Sequence, residues 1–231
     1  MVIFPGDLTA NAIIFDFDGV IVDTEPIHYK AFQKLLEPMG LGYSWQDYVD
    51  IYMGFDDRDA FIEAFSAKGK TISSSVLNNL ISKKADFFQK TIQEGITAYP
   101  GATNLIKNLH HKHVPLAISS GALRSDIMPI LKQLSISDCF EIIITADDVT
   151  KSKPDPECYR IAFERLRNSN QLSAISQNST IAIEDTPAGI EAAINAGLKV
   201  VAITNSYPRD NIMKANKIID SLEELLGFNI L

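Results

Sequence analysis

Two aspartates one residue apart, Asp16 and Asp18, close an apolar run that begins Ala12-Ile13-Ile14-Phe15. Carboxylates that close repel one another unless a cation or a shared proton compensates, and a divalent metal is the economical explanation. Three more polar clusters follow apolar, β-branched runs: Ser119-Ser120, Lys151-Ser152-Lys153-Pro154 and Glu184-Asp185. Taken singly, each has a plain reading: a turn serine, a solvated lysine, a helix cap with a neighbour that the helix dipole favours. Taken together they supply carboxylates, hydroxyls and an ammonium group, the side chains that metal and phosphate chemistry requires.

What positions them is a set of strands. Ala12–Phe15 has the continuous apolar character of a strand buried on both faces of an open α/β sheet, and such sheets hold ligands at the carboxyl ends of their strands. Gly19 allows the sharp turn that follows. Pro115–Ser119, Glu141–Thr145, Thr180–Glu184 and Lys199–Ile203 read as further strands, with Ile218-Ile219 as a short edge. Helical segments separate them. Ser125 is expected to cap one, with Pro129 in its first turn; Asp155-Pro156 opens the next, and Asp185-Thr186-Pro187 a third that Gly197 ends. Alternating strands and helices predict a doubly wound parallel sheet. Asn168 to Asn178 reads as a longer surface loop.

Between Thr24 and Ala98 the pattern is helical throughout, which predicts a second, smaller all-α domain. Pro26 opens its first helix, and Gly40 and Gly42 close it. A second helix is expected after Ser44, with Trp45, Tyr48, Val49 and Tyr52 buried. A third is capped by Asp56 or Asp57, with Phe61, Ile62 and Phe65 inside and Gly69 as terminator. A fourth starts within Ser73–Ser75 and stops at Gly95. The predicted division is a core of residues 1–23 and 99–231 with the helical domain, 24–98, inserted after the first core strand.

Bulk properties narrow the class. The 231 residues are 46% hydrophobic and 22% charged, and carry a net charge of −8. That balance suits an ordinary soluble protein and argues against nucleic acid or an acidic membrane surface as partner. No apolar run approaches bilayer length, and the first residues lack the basic and apolar regions of a secretion signal. Cys139 and Cys158 have no metal-ligand spacing and read as reduced thiols. The expected setting is cytoplasmic, as a monomer or weak dimer.

On Asp16-Phe17-Asp18-Gly19-Val20, Ser119, Lys153-Pro154 and Glu184-Asp185-Thr186-Pro187-Ala188-Gly189, the chain resembles the haloacid dehalogenase superfamily. Within it, the chain is similar to the branch that contains β-phosphoglucomutase and phosphoglycolate-type phosphatases. The resemblance implies that the helical insert is a mobile cap. It implies Asp16 as nucleophile and Asp18 as the acid–base group, which predicts a raised pKa for Asp18. It implies Ser119 as a hydrogen-bond donor to the phosphoryl group and Lys153 as its positive charge. Mg²⁺ is implied on Asp16, the Asp18 backbone carbonyl and Asp185, with Glu184 close by.

Asp18 sits two residues after the nucleophile, where dehalogenases and phosphonatases lack an acid, so the resemblance favours a phosphate ester with an oxygen leaving group. No G-x-G-x-x-G follows the first strand, which argues against a dinucleotide enzyme. Thr24, His28 and Lys84 fall at mutase positions, and Gly54, Arg58, Ser120 and Gly121 complete the set expected to line the substrate. Against a mutase, Asp57 stands where the mutase has a cap arginine, with Arg58 one place off. Gly121 and Ala122 replace residues that hold a second phosphate. The expectation is therefore a Mg²⁺-dependent phosphatase of a small phosphorylated metabolite, with a β-phosphoglucomutase-like phosphosugar mutase as the alternative. His110, His111 and His113 read as the end of a helix, Asp147-Asp148 as a solvated turn near Lys153.

Overall fold

A computed structural model describes residues 1–6, 8–53, 55–93, 95–169 and 175–230. The chain divides into two compact units, one of Met1–Asp23 with Thr97–Leu231 and the other of Thr24–Ile96. In the first unit the run that ends in Asp16 is β3 (Ala12–Phe15), with all four residues buried. It lies in the middle of a six-stranded sheet with β4 (Leu116–Ser119), β5 (Ile142–Ile144), β6 (Thr180–Glu184), β7 (Lys199–Ile203) and β8 (Lys217–Ile219). The order is β5-β4-β3-β6-β7-β8 and every neighbouring pair is parallel. Phe15 lies beside Ile118 on one side and Ile183 on the other, so β3, β4 and β6 end at one level. Chain order reverses on either side of β3, and a crevice opens at such a point in doubly wound sheets.

The helices of this unit are α5 (Ala102–His111), α6 (Arg124–Gln133), α7 (Glu157–Ser169) and α8 (Pro187–Asn195). Tyr159, Ala162 and Leu166 of α7 and Ala192 and Ala193 of α8 join Ile14, Ala117 and Ala182 of the sheet in one buried cluster. Thr186 caps α8 by accepting a hydrogen bond from Gly189 N at 3.0 Å, and Pro187 occupies the first turn. In α6 the expectation fails by two residues. Leu123, not Ser125, precedes the helix, and Pro129 lies in its interior. Its ring costs one backbone bond that an early-turn position would have spared.

A second sheet escaped the sequence reading. β1 (Val2–Phe4), β2 (Leu8–Ala10) and β9 (Asn229–Ile230) pair antiparallel in the order β2-β1-β9. Strands of two or three residues are too short to register as alternation, and β9 is joined to β1 only by the fold.

The second unit contains α1 (Glu25–Leu36), α2 (Trp45–Asp47), α3 (Asp57–Ser66) and α4 (Ser74–Ile92). Ser44, Asp56 and Ser73 cap the last three by accepting backbone N–H bonds. The expected second helix is irregular: one turn of α2 runs into a π-helical turn, Tyr48–Tyr52. The wider turn turns Tyr48 and Tyr52 inward, while Trp45 stays 42% exposed and Val49 half-buried. Ile62 is also exposed, contrary to expectation, because α3 buries Ala60, Phe61, Ala64 and Phe65 on a face that excludes it. Phe61 and Phe88, both fully buried, each contribute roughly 1.5–3 kcal/mol. The return to the first unit begins at Thr97, two residues before Tyr99, since Ala98 already bridges Val22. Residues 170–174 of the expected surface loop lie outside the described residues; Asn168 and Ser169 still belong to α7.

Candidate active site

Three strand ends and one connecting segment deliver the site. Asp16 extends β3, its N–H donating to Ile183 O at 2.9 Å, and its side chain is buried. Ser119 ends β4 and Glu184 ends β6, both fully buried. Lys153 comes from the segment between β5 and α7, just before a cis peptide bond to Pro154. Its Nζ donates to Asp16 Oδ1 at 2.7 Å, Glu184 Oε1 at 2.6 Å and Ser119 O at 3.2 Å. One buried ammonium thus ties three strands together.

Glu184 is saturated. Its Oε1 accepts from Lys153 and from the Tyr159 hydroxyl at 2.7 Å. Its Oε2 accepts from Asp185 N at 3.1 Å, Thr186 N at 3.4 Å and Thr186 Oγ1 at 3.3 Å. Glu184 therefore anchors Lys153 and the turn into α8. Gly189 is required beside it, because a Cβ there would lie 2.0 Å from Glu184 Oε1.

Asp16, Glu184 and Asp185 each place a carboxylate oxygen within 4.8 Å of the other two. Three carboxylates against one ammonium leave two negative charges in excess. Burial, and then the charge of Glu184, hold the Asp16 carboxyl well above the usual carboxylate range even though Lys153 opposes them. Burial alone would lower the Lys153 pKa, but Asp16 and Glu184 outweigh it and raise it. Both shifts are upward, which disfavours the charge on Asp16 and favours that on Lys153, because one ammonium is divided between two buried carboxylates. Lys153 stays charged and Asp16 remains short of positive charge. All the donors are hard oxygens, so the residues present fit a hard divalent cation.

The turn after Asp16 is tightly wound. Gly19 adopts φ 75°, its N–H donates to Val22 O, and a Cβ on it would lie 1.8 Å from Asp185 Oδ2. The half-buried Asp18 sits in this turn and its carboxylate is not one of the three that converge. Ser119 Oγ is buried without an N or O partner within hydrogen-bond limits, and the Cys158 thiol lies beside it. Ser120 is buried as well, its Oγ accepting from Ala122 N at 3.0 Å, and a Cβ on the half-buried Gly121 would meet nothing.

The structure therefore gathers Asp16, Ser119, Lys153, Glu184 and Asp185, with Asp18, Ser120 and Gly121 on the adjoining turns. Thr24, His28, Arg58 and Lys84 belong to the other unit. There the fully buried Lys84 contacts Asp57 and His28 Nδ1, the latter at 2.7 Å, while Arg58 approaches Asp56 at 3.8 Å. Gly54 lies outside the described residues. Asp147 and Asp148 hold Arg124, not Lys153. Sequence reasoning took Tyr159 as one apolar residue of a helix, and Asn205 and Ser206 not at all. Their partners lie 25, 186 and 21 residues away, beyond any local signal.

A family model described as haloacid dehalogenase-like hydrolase matches residues 13–203. The chain belongs to that family of hydrolases. It is 25% identical over 229 residues to the phosphorylated carbohydrates phosphatase of Thermotoga maritima, covering 94% of this hydrolase and 100% of that one. Against the validoxylamine A 7'-phosphate phosphatase of Streptomyces hygroscopicus subsp. limoneus it is 26% identical over 212 residues, covering 92% and 94%. A crystal structure of β-phosphoglucomutase from Clostridium difficile superposes with a TM-score of 0.82 at 27% identity, covering 94% of this hydrolase and 93% of that chain. Both the six-stranded parallel core and the helical insert thus belong to a known hydrolase architecture.

Proposed function

We propose that this hydrolase cleaves a small phosphorylated metabolite, a sugar phosphate or a related acid phosphate, through a phosphoryl group carried on Asp16. The observation that carries the reading is Lys153, which holds Asp16 at the end of β3 beside Glu184 in a site with excess negative charge. The phosphatases of phosphorylated compounds among the relatives support it.

Asp16 attacks phosphorus in line, forming a carboxyl O–P bond as the ester P–O bond breaks. Asp18 gives its proton to the departing oxygen, then takes one from the water that attacks phosphorus, releasing phosphate and freeing Asp16. Ser119 Oγ donates to a phosphoryl oxygen, a bond for which its lack of an N or O partner leaves it available. Lys153 offsets the charge that gathers there. Asp16 and Asp185, with the Asp18 carbonyl, would hold Mg²⁺, which supplies the positive charge that lets an anionic nucleophile meet an anionic phosphate. Two free thiols, Cys139 and Cys158, support a cytoplasmic setting. No helix among the described residues is long and apolar enough to cross a membrane.

A phosphosugar mutase is the second reading, favoured by the likeness to β-phosphoglucomutase. A mutase must hold a bisphosphate intermediate by both ends, and Asp57 already neutralises Lys84 inside the helical unit, which supports hydrolysis. The test is turnover of p-nitrophenyl phosphate with Mg²⁺ and with EDTA, followed by a screen of phosphorylated sugars. Asp16→Asn is expected to lose at least about 10³-fold in kcat. A variant that keeps wild-type turnover overturns the assignment. Conversion of a hexose 1-phosphate to its 6-phosphate on adding a bisphosphate, seen by ³¹P NMR, would select the mutase.

A further inference from the structure

We propose that Asn205 and Ser206, on the turn that leaves β7, set the metal affinity of this site by holding its two halves against each other; the proposal rests on the metal reading above. Asn205 Nδ2 donates to Gly19 O at 2.7 Å, which fixes the turn that carries Asp18. Its neighbour Ser206 donates through Oγ to Asp185 Oδ2. The two strand ends that would supply the ligands, those of β3 and β6, are thereby bridged by consecutive residues of a third strand's exit. The three parts are in close contact: a Cβ on Gly19 would lie 1.8 Å from Asp185 Oδ2 and 2.8 Å from Ser206 Oγ.

The bridge is itself anchored. Thr204 N donates to Ile219 O at 3.1 Å, and Thr204 Oγ1 donates to Asp220 Oδ1 at 2.9 Å. Arg209 reaches the same Asp220 oxygen at 2.9 Å from the far side of the turn. Edge strand β8 thus holds residues 204–209 at both ends, and Asn205 and Ser206 project from a braced segment. A hydroxyl that holds one oxygen of a ligating carboxylate fixes the orientation of that carboxylate before the cation arrives. Loss of such an outer partner typically weakens metal binding about 10- to 100-fold. Asn205 and Ser206 act through the Gly19 turn and Asp185, so they are positioning residues.

The experiment titrates Mg²⁺ alone into the substrate-free enzyme, reading Kd by calorimetry and metal-free Tm by thermal unfolding. Ser206→Ala is expected to weaken Kd about 10-fold or more, Ser206→Thr to recover most of it, and Asn205→Ala to weaken it to a lesser degree. Much of the kcat lost in Ser206→Ala should return when Mg²⁺ is raised to saturation. A wild-type Kd in Ser206→Ala overturns the proposal, and so does a lowered metal-free Tm with Kd unchanged, which marks a merely structural bond. A wild-type enzyme that binds no Mg²⁺ overturns the metal reading as well. Wild-type binding that Asp185→Asn abolishes but Ser206→Ala leaves intact overturns only the present inference.

Discussion

Among the described residues each unit buries one lysine, and the two are neutralised in opposite ways. Lys153 ends among strand tips, between two carboxylates, in a cluster that keeps a negative excess after the ammonium is counted. Lys84 ends among helices, paired with Asp57 and bonded to His28, with its Nζ 4.6 Å from the centre of the Phe32 ring. His28 in turn stacks on Phe88 at 4.5 Å. The first cluster is charged and short of cations; the second is balanced one charge to one and flanked by aromatic rings. A protein that needs only to be stable closes its charges as Lys84 does. The imbalance around Lys153 is kept at the cost of stability, as expected where a cation and an anionic group are to be bound.

The sharpest way to break this contrast is to remove each ammonium in turn. Lys153→Met is expected to cut kcat on p-nitrophenyl phosphate about 10²- to 10³-fold, since it takes away the positive charge beside Asp16, the proposed nucleophile. Lys84→Met is expected to act on stability, by about 3 kcal/mol, because it strands a partly buried Asp57 carboxylate. Thermal unfolding of Lys84→Met, with the double variant Lys84→Met/Asp57→Leu recovering part of the loss, checks this. A raised KM without loss of Tm would instead make Lys84 the substrate contact that the mutase resemblance implies.

A smaller effect sharpens the contrast at the surface. Burial alone would raise the pKa of Asp148, but the Arg124 guanidinium and Thr145 override it and hold the carboxyl below its usual range. Its contribution is therefore complete above the unfolded value of about 3.9 and fades as pH falls through the lower folded value. Asp148→Asn should lower Tm by about 1–3 °C at pH 7, and the difference should shrink as pH falls below the unfolded value of about 3.9.

The neighbours of Lys153 were legible because each closes an apolar run: Asp16 after Ala12–Phe15, Glu184 after Thr180–Ile183. A strand that ends in a polar residue announces both the strand and the edge. The neighbours of Lys84 were less so. The resemblance placed Lys84 and His28 among substrate-lining residues, but no local pattern shows that Asp57 and His28 close round the lysine. The π-helical turn at Tyr48–Tyr52 and the Leu123 start of α6 were missed because packing, rather than local propensity, decided them. Tyr159, Asn205 and Ser206 look ordinary in sequence.

The sequence by itself determined the parallel core and pointed to a helical insert, because strand period and turn residues are local quantities; it named Asp16, Asp18, Ser119, Lys153, Glu184 and Asp185 as candidates through the polarity that follows the apolar runs and the family resemblance. Only the tertiary structure decided that one ammonium serves both Asp16 and Glu184, that Tyr159 completes the Glu184 shell, and that Asn205 and Ser206 brace the Gly19 turn and Asp185. Those facts depend on strand order, which sets residues up to 186 positions apart side by side. No local pattern of side chains encodes such neighbours.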